Sequence, residues 1–506
     1  MPVPDSEPLN ERQLQAAAAL LAGVSPPATR LGEIFIAAGH ELALVGGPVR
    51  DVFLRRTSGD FDLTTDAPPQ RVLELVGGWA DQVWTIGIEF GTIGLRKDRT
   101  TFEITTYRSE RYDRASRKPV VEYGTSLADD LARRDFTVNA MAARLPGYEL
   151  VDPYGGLADL QRRVLRTPGR PEDSFTDDPL RILRAARFTA QLGFTVTPEV
   201  AAAMTELALL LAPPKVSAER IAGELTKLLL SPLPGGPAAG IALLVDTGVA
   251  EQVLPEVPKL RLESDEHYRH KDVYQHSLTV LNQAIDLEGR YGLGPDLVLR
   301  LAALLHDIGK PRTRQQLAGG RVAFHHHEVV GAKMARTRLS ELKYGKDIIN
   351  DVSRLVELHL RFHGYGEGEW TDSAVRRYVT DAGPLLSRLH ALTRADCTTR
   401  NKAKALRLER AYDDLEARIA VLADQEELEK IRPDLDGAEI MRILGLTPGP
   451  LVGRARQHML DLRMEHGPLD HDRAVQELLA WAASAGLEVP PPGPPDPAGA
   501  DPGPAS

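Results

Sequence analysis

The chain is 506 residues long, carries a formal charge of −10 and contains one cysteine, Cys397. A length of this order predicts several domains, and 42% hydrophobic with 26% charged residues is the balance of an ordinary globular protein. The lone cysteine excludes a disulfide framework and fits a reducing cytosol. No apolar run approaches a membrane span, and Met1 to Asn10 show no leader pattern, so a cytoplasmic protein without a membrane partner is expected. The acidic balance argues against a general nucleic-acid coat but leaves room for a local basic groove.

Residues 1–27 read as a peripheral helical segment closed by Pro26-Pro27, and Thr29 to Gly39 as a helix that glycine ends. The apolar run Leu42 to Val45 reads as a strand entering a turn at Gly46-Gly47, with a helix continuing to about Arg56. Glycines there let backbone N–H groups approach a phosphate, and the helix presents its positive end. Asp60-Phe61-Asp62-Leu63 reads as the next strand. Alternate strand residues share a face, so both carboxylates point the same way, about 6.6 Å apart along the chain. Two hard oxygen ligands at that spacing suit Mg²⁺, and a phosphate cradle beside them is the equipment of two-metal phosphoryl or nucleotidyl transfer. Taken alone, Asp-x-Asp is more often a solvated loop. Phe90 to Arg96 and Thr101 to Tyr107 read as neighbouring strands around a charged turn, with Glu103 facing solvent or, alternatively, serving as a third carboxylate.

Arg133-Arg134-Asp135 precedes a short apolar run and offers a guanidinium fork for a triphosphate, against a plain surface charge cluster. Val151 to Leu160 reads as a structural turn. In Asp177-Asp178-Pro179-Leu180-Arg181, Pro179 suits a first helical turn and the acidic pair suits its N-terminus. Asp178 and Arg181 sit three apart on one face. They form either a capping ion pair or a base reader, in which the Asp accepts from an exocyclic amino group and the Arg donates beside it. Cytosine and adenine match that pair, whereas uracil and guanine present a carbonyl to the carboxylate. Arg184 and Arg187 continue at three-residue steps and offer charge to phosphates. Ser217 is the expected N-cap of a further helix carrying Glu219 and Arg220, with a supporting role. From about 157 to 487 the apolar spacing is mostly helical, and 488–506 is a Pro/Gly-rich tail expected to be disordered.

Together and in this order, these stretches resemble the class II tRNA nucleotidyltransferases, the CCA-adding enzymes, and their poly(A) polymerase relatives. The resemblance runs from about residue 40 to 230. It implies that Asp60 and Asp62 hold the catalytic Mg²⁺ ions, that Gly47, Arg50 and Arg134 contact the incoming nucleotide, and that Asp178 and Arg181 read C or A with Arg184 and Arg187 nearby. The implied substrates are CTP, ATP and the tRNA 3′ end, held by its acceptor and T arm, with no DNA. The primer 3′-hydroxyl attacks the α-phosphate and pyrophosphate leaves. Asp177 stands where the family usually has Glu, and Pro48 where a small residue is usual.

Further on, His276, His306-Asp307 and Asp396 resemble the HD phosphohydrolase metal set, implying a second divalent metal, which His325, His326, His327 and His359 widen. Arg394, Arg400, Lys402, Lys404, Arg407 and Arg410 offer a tRNA path or a solvated basic face. The expected fold is α+β, a small mixed-sheet head followed by a long helical body. Its parts are a peripheral segment (1–27), a nucleotidyltransferase head (28–156), a helical neck with nucleotide-reading and RNA-binding elements (157–255), an HD domain (256–410), a tRNA-binding helical region (411–487) and the tail. The alternatives are a poly(A) polymerase, a split CC- or A-adding enzyme, and an HD phosphohydrolase acting on RNA ends.

Overall fold

In a computed structural model the chain is described over residues 18–21, 26–56, 60–111, 120–123, 126–212, 215–262, 272–317, 322–364, 370–398, 402–426 and 432–487. The tail, most of the N-terminal segment and Arg400 lie outside these residues. The chain forms two compact units, Met1–Leu262 with Thr337–Gly345, and Glu263–Arg336 with Lys346–Ser506.

The first unit is built on a seven-stranded sheet. Its strands are β1 (Leu42–Val45), β2 (Asp60–Thr65), β3 (Gln82–Trp84), β4 (Thr92–Lys97), β5 (Thr100–Thr106), β6 (Ala142–Arg144) and β7 (Glu149–Val151), in the order β3-β4-β5-β2-β1-β6-β7. Every neighbouring pair is antiparallel except β2 and β5, which run parallel from Asp60↔Thr101 to Thr65↔Thr106. A parallel pair needs a crossover, and the helix Pro69–Gly77 with β3 and β4 supplies it. β1 is buried at all four positions, as a central strand should be. In β2 the pleat turns Phe61 inward to stack on Phe102 at 5.6 Å, leaving Asp60 and Asp62 exposed on the other face.

Several boundaries differ from expectation: the helix expected over Thr29 to Gly39 runs Pro26–Ala37, and the turn expected over Val151 to Leu160 includes the start of a helix, Gly156–Arg162. The helix α1 (Gly47–Phe53) stops short of Arg56, and Arg55 takes a positive φ of 55°. Residues 88–90 form a single tight turn, so β4 starts only at Thr92, after Gly91 at φ 73°.

The helices α2 (Leu180–Leu192) and α3 (Ala218–Leu229) follow the sheet and pack together. Nine residues of α2 are buried, Ile182, Ala185, Ala186 and Phe188 among them. Pro179 is the N-cap of α2, while Asp177 ends the preceding helix Pro171–Asp177 and Asp178 is its C-cap, so the acidic pair closes that helix and meets α2 only through the Asp178 side chain, which accepts from the Leu180 N–H. Among its described residues the second unit is helical, apart from a short hairpin of Arg314–Gln316 with Val322–Phe324. Its C-terminal helices Gly437–Leu444, Pro450–His466 and His471–Ser484 close on their own core of Ile440, Leu444, Met459 and Leu478. No helix among the described residues is long and apolar enough to cross a membrane.

Candidate active sites

The parallel pairing of β2 and β5 sets Asp62 opposite Glu103. Asp60, Asp62 and Glu103 therefore line one cleft of about 420 Å³ with Gly47, Pro48 and a fourth carboxylate, Asp51, which Arg50 pairs. Glu103 faces solvent, but the solvent it faces is this cleft. Desolvation raises the Asp62 carboxyl above the usual carboxylate range; Glu103 and Asp60 push it further, and Arg134 opposes them. Crowded carboxylate oxygens, with Asp62 resisting its charge, are a donor set suited to a hard divalent cation.

A second cleft of about 620 Å³ adjoins the first, and Gly47 and Asp62 line both. Gly46 adopts φ 73°, and a Cβ there would fall 2.9 Å from Arg134 Nη1, so the turn tolerates only glycine. Arg133 and Arg134 are both gripped by Asp130, a fully buried carboxylate, at 2.6 and 3.1 Å. Asp130 was not singled out from the sequence. Its signal was the spacing, three and four residues ahead of the two arginines on a helical turn.

The remaining arginines are tied into the walls. Arg50 donates to Asn139 Oδ1 at 2.7 Å and to Asp51 at 2.8 Å. Asn139 donates to Asp135 at 2.9 Å, and Asp135 accepts from Arg184 Nε at 2.7 Å. Burial works against the Asp135 carboxylate, yet Arg184 and Asn139 hold it below the ordinary range. Arg187 pairs with the buried Glu224 of α3 at 3.1 Å, and burial lowers its pKa to about 10. Beneath them lies Phe188, whose ring carries the guanidinium carbons of Arg50, Arg184 and Arg187 at 5.4, 5.5 and 4.4 Å. By their spacing Arg184 and Arg187 are expected to offer charge to phosphates. Both line the cleft, but each already has a carboxylate partner.

Asp178 and Arg181 also line this cleft. They make no ion pair with each other among the bonds described. Asp178 meets Arg220 at 3.3 Å, and Arg181 donates to Ser174 Oγ at 2.8 Å and to the Arg133 carbonyl at 2.6 Å. Ser217 caps α3 as expected.

In the second unit, His276, His306 and Asp396 bring ligand atoms together, and Asp307, His327 and His359 form an adjoining set. His306, His327 and His359 each turn Nδ1 to a carbonyl three residues back, at 2.8, 2.8 and 2.6 Å, which aims all three Nε2 atoms inward. His359 Nε2 is buried with no hydrogen-bond partner among the described residues. Although burial opposes a charged His306, Asp307 and Asp396 raise it to about 10, whereas burial and the neighbouring His306 lower His359 to about 3 and keep its imidazole neutral. Gly309 makes room: a Cβ there would meet the His327 carbonyl at 2.1 Å. His327 and His359 thus join the set, while His325 and His326 are exposed and stay out. Arg394, offered to a tRNA path, is instead bound by Asp413 and Glu416 at 2.7 and 2.8 Å. Arg407 and Arg410 are exposed.

This head, with its acidic strand, glycine turn and arginine-lined cleft, defines a nucleotidyltransferase. Residues 42–166 match the poly A polymerase head domain, 193–260 the probable RNA and SrmB-binding site of polymerase A, and 273–428 the HD domain. An A-adding tRNA nucleotidyltransferase of Deinococcus radiodurans is 35% identical over 428 residues, 83% of this chain and 91% of the relative. The chain belongs to the tRNA nucleotidyltransferase family. A CCA-adding enzyme of Bacillus subtilis is 45% identical over 197 residues, covering 39% of this chain and about half (48%) of that relative. The Bacillus stearothermophilus CCA-adding enzyme solved with CTP superposes with a TM-score of 0.66 at 24% identity, covering 91% of this chain and 99% of that one, which shows the shared fold.

Proposed function

We propose that the chain adds nucleotides to the 3′ end of tRNA from CTP and ATP without a nucleic-acid template, producing CCA. One observation carries this: Asp62 lines both clefts, so a triphosphate can place its α-phosphate beside the carboxylates while its base reaches Asp178 and Arg181. Asp60, Asp62 and Glu103 would hold Mg²⁺, which when bound polarises phosphate oxygens and offsets the charge of transfer. The turn at Gly47 and the Arg133–Arg134 fork bind the triphosphate, and Asp178 accepts from the amino group of C or A. The primer 3′-hydroxyl then displaces pyrophosphate in line.

A narrower reading, addition of the terminal A alone, is favoured by one finding: the A-adding relative aligns along nearly its whole length. The two separate on tRNAs ending before, within and after CCA, with labelled CTP or ATP. Ordered C, C, A addition that stops supports the first reading. Addition of a single A, only to tRNA ending in CC, supports the second, and open-ended A addition indicates a poly(A) polymerase.

The second unit supports a further activity, metal-dependent hydrolysis of phosphoesters at RNA ends. His276, His306, Asp307 and Asp396, with His327 and His359, would hold divalent metal, which supplies an activated water. Loss of end groups without nucleotide tests it.

A further inference from the structure

We propose that Arg220 is a positioning residue for base selection, holding the carboxylate of Asp178 in its reading orientation, and that Ser174 does the same for Arg181. This rests on the reading of Asp178 and Arg181 as the pair that recognises the base.

Asp178 follows the end of the helix Pro171–Asp177 with extended backbone, φ −135° and ψ 98°. No helix fixes its side chain. What holds it is the Leu180 N–H, donating to Oδ1 at 3.2 Å, and Arg220 Nη2, at 3.3 Å from Oδ1 and 3.4 Å from Oδ2. The Arg220 side chain is 52% exposed, so the pair adds little to stability. It restricts rotation instead.

The sequence fixes where Arg220 stands. Ser217 Oγ accepts the Arg220 N–H and starts α3, so Arg220 leaves the first turn towards Asp178. One turn later on the same face, Glu224 pairs with Arg187 of α2. Helix α3 therefore grips the reading segment at two points of opposite charge, and a shift of register would set like charges together. Arg181 is held likewise, with Nη1 on Ser174 and Nη2 on the Arg133 carbonyl. The Watson–Crick edge of C or A requires one acceptor and one donor at a fixed separation. A reader whose two groups swing freely loses the penalty against U and G.

The test measures kcat and KM for CTP, ATP, UTP and GTP on a tRNA acceptor. Arg220→Ala is expected to cut discrimination against UTP and GTP about tenfold while the thermal midpoint stays near wild type. Arg220→Lys keeps the charge without the fork and restores part of the loss. In an Asp178→Ala background, Arg220→Ala adds no further loss, because it acts through that carboxylate. Ser174→Ala lowers discrimination in the same direction. An Arg220→Ala enzyme that adds nucleotides with wild-type selectivity overturns the inference, as does an additive loss in the double variant. A wild-type chain that adds no nucleotide to tRNA overturns the underlying reading instead.

Discussion

Asp135 and Arg184, 49 residues apart, are joined by hydrogen bonds across the wall of the larger cleft. The link continues from Asp135 through Asn139 to Arg50. Arginines of two separate helices, α1 and α2, thus share one network.

Breaking that network should act on binding rather than on choice of base. Asp135→Ala leaves Arg184 without its carboxylate in a part-buried place, and removing one partner of such a pair costs about 3 kcal/mol. Urea unfolding should show the loss. KM for CTP and ATP should rise several-fold together, with discrimination against UTP and GTP retained.

Asp60→Ala and Asp62→Ala should each lower single-turnover incorporation by about a thousandfold or more, because the groups that would hold the divalent ion are removed. Chelation of divalent metal should do the same to the wild type and be reversed by added Mg²⁺. Normal incorporation by either variant would refute the assignment.

The raised pKa of Asp62 gives a stability prediction with a definite sign. Its ionised form is penalised in the folded state, so the penalty is fully present above its folded pKa and disappears as pH falls below the unfolded value. Asp62→Asn removes the penalty. Without divalent metal, this variant should melt above the wild type at neutral pH, and the gap should close on acidification. Proton competition should also raise the Mg²⁺ concentration needed for activity as pH falls towards that pKa.

His276→Ala and His359→Ala should each lower the divalent-metal content of purified protein by elemental analysis, since the two side chains belong to different halves of the ligand set. Addition of C and A should be preserved in both. Unchanged metal content would remove the case for a centre in this unit.

The strands at Leu42–Val45 and Asp60–Thr65 were legible because an apolar run, a glycine pair and alternating carboxylates each report a local backbone need. That Asp178 and Arg181 would share one cleft was legible by type and spacing. Their holders were not: Arg220 is 42 residues from Asp178, and no local period marks such a pair. The place of Glu103 opposite Asp62 was not legible, because the register of β2 against β5 is a tertiary fact, invisible in either strand alone. Arg184 and Arg187 were read as available charge because their partners, Asp135 and Glu224, are distant in sequence. His359 found its place only when folding brought three imidazoles to one point.

Three guanidinium groups rest around the ring of Phe188. Cations gathered so closely would drift apart in open water, but the electron-rich face gives them a common resting surface. The ring and the carboxylates of Asp135 and Glu224 together hold the lining in place, which limits the ordering that binding must supply. An aliphatic side chain there would fill the same volume and leave the cations to repel one another.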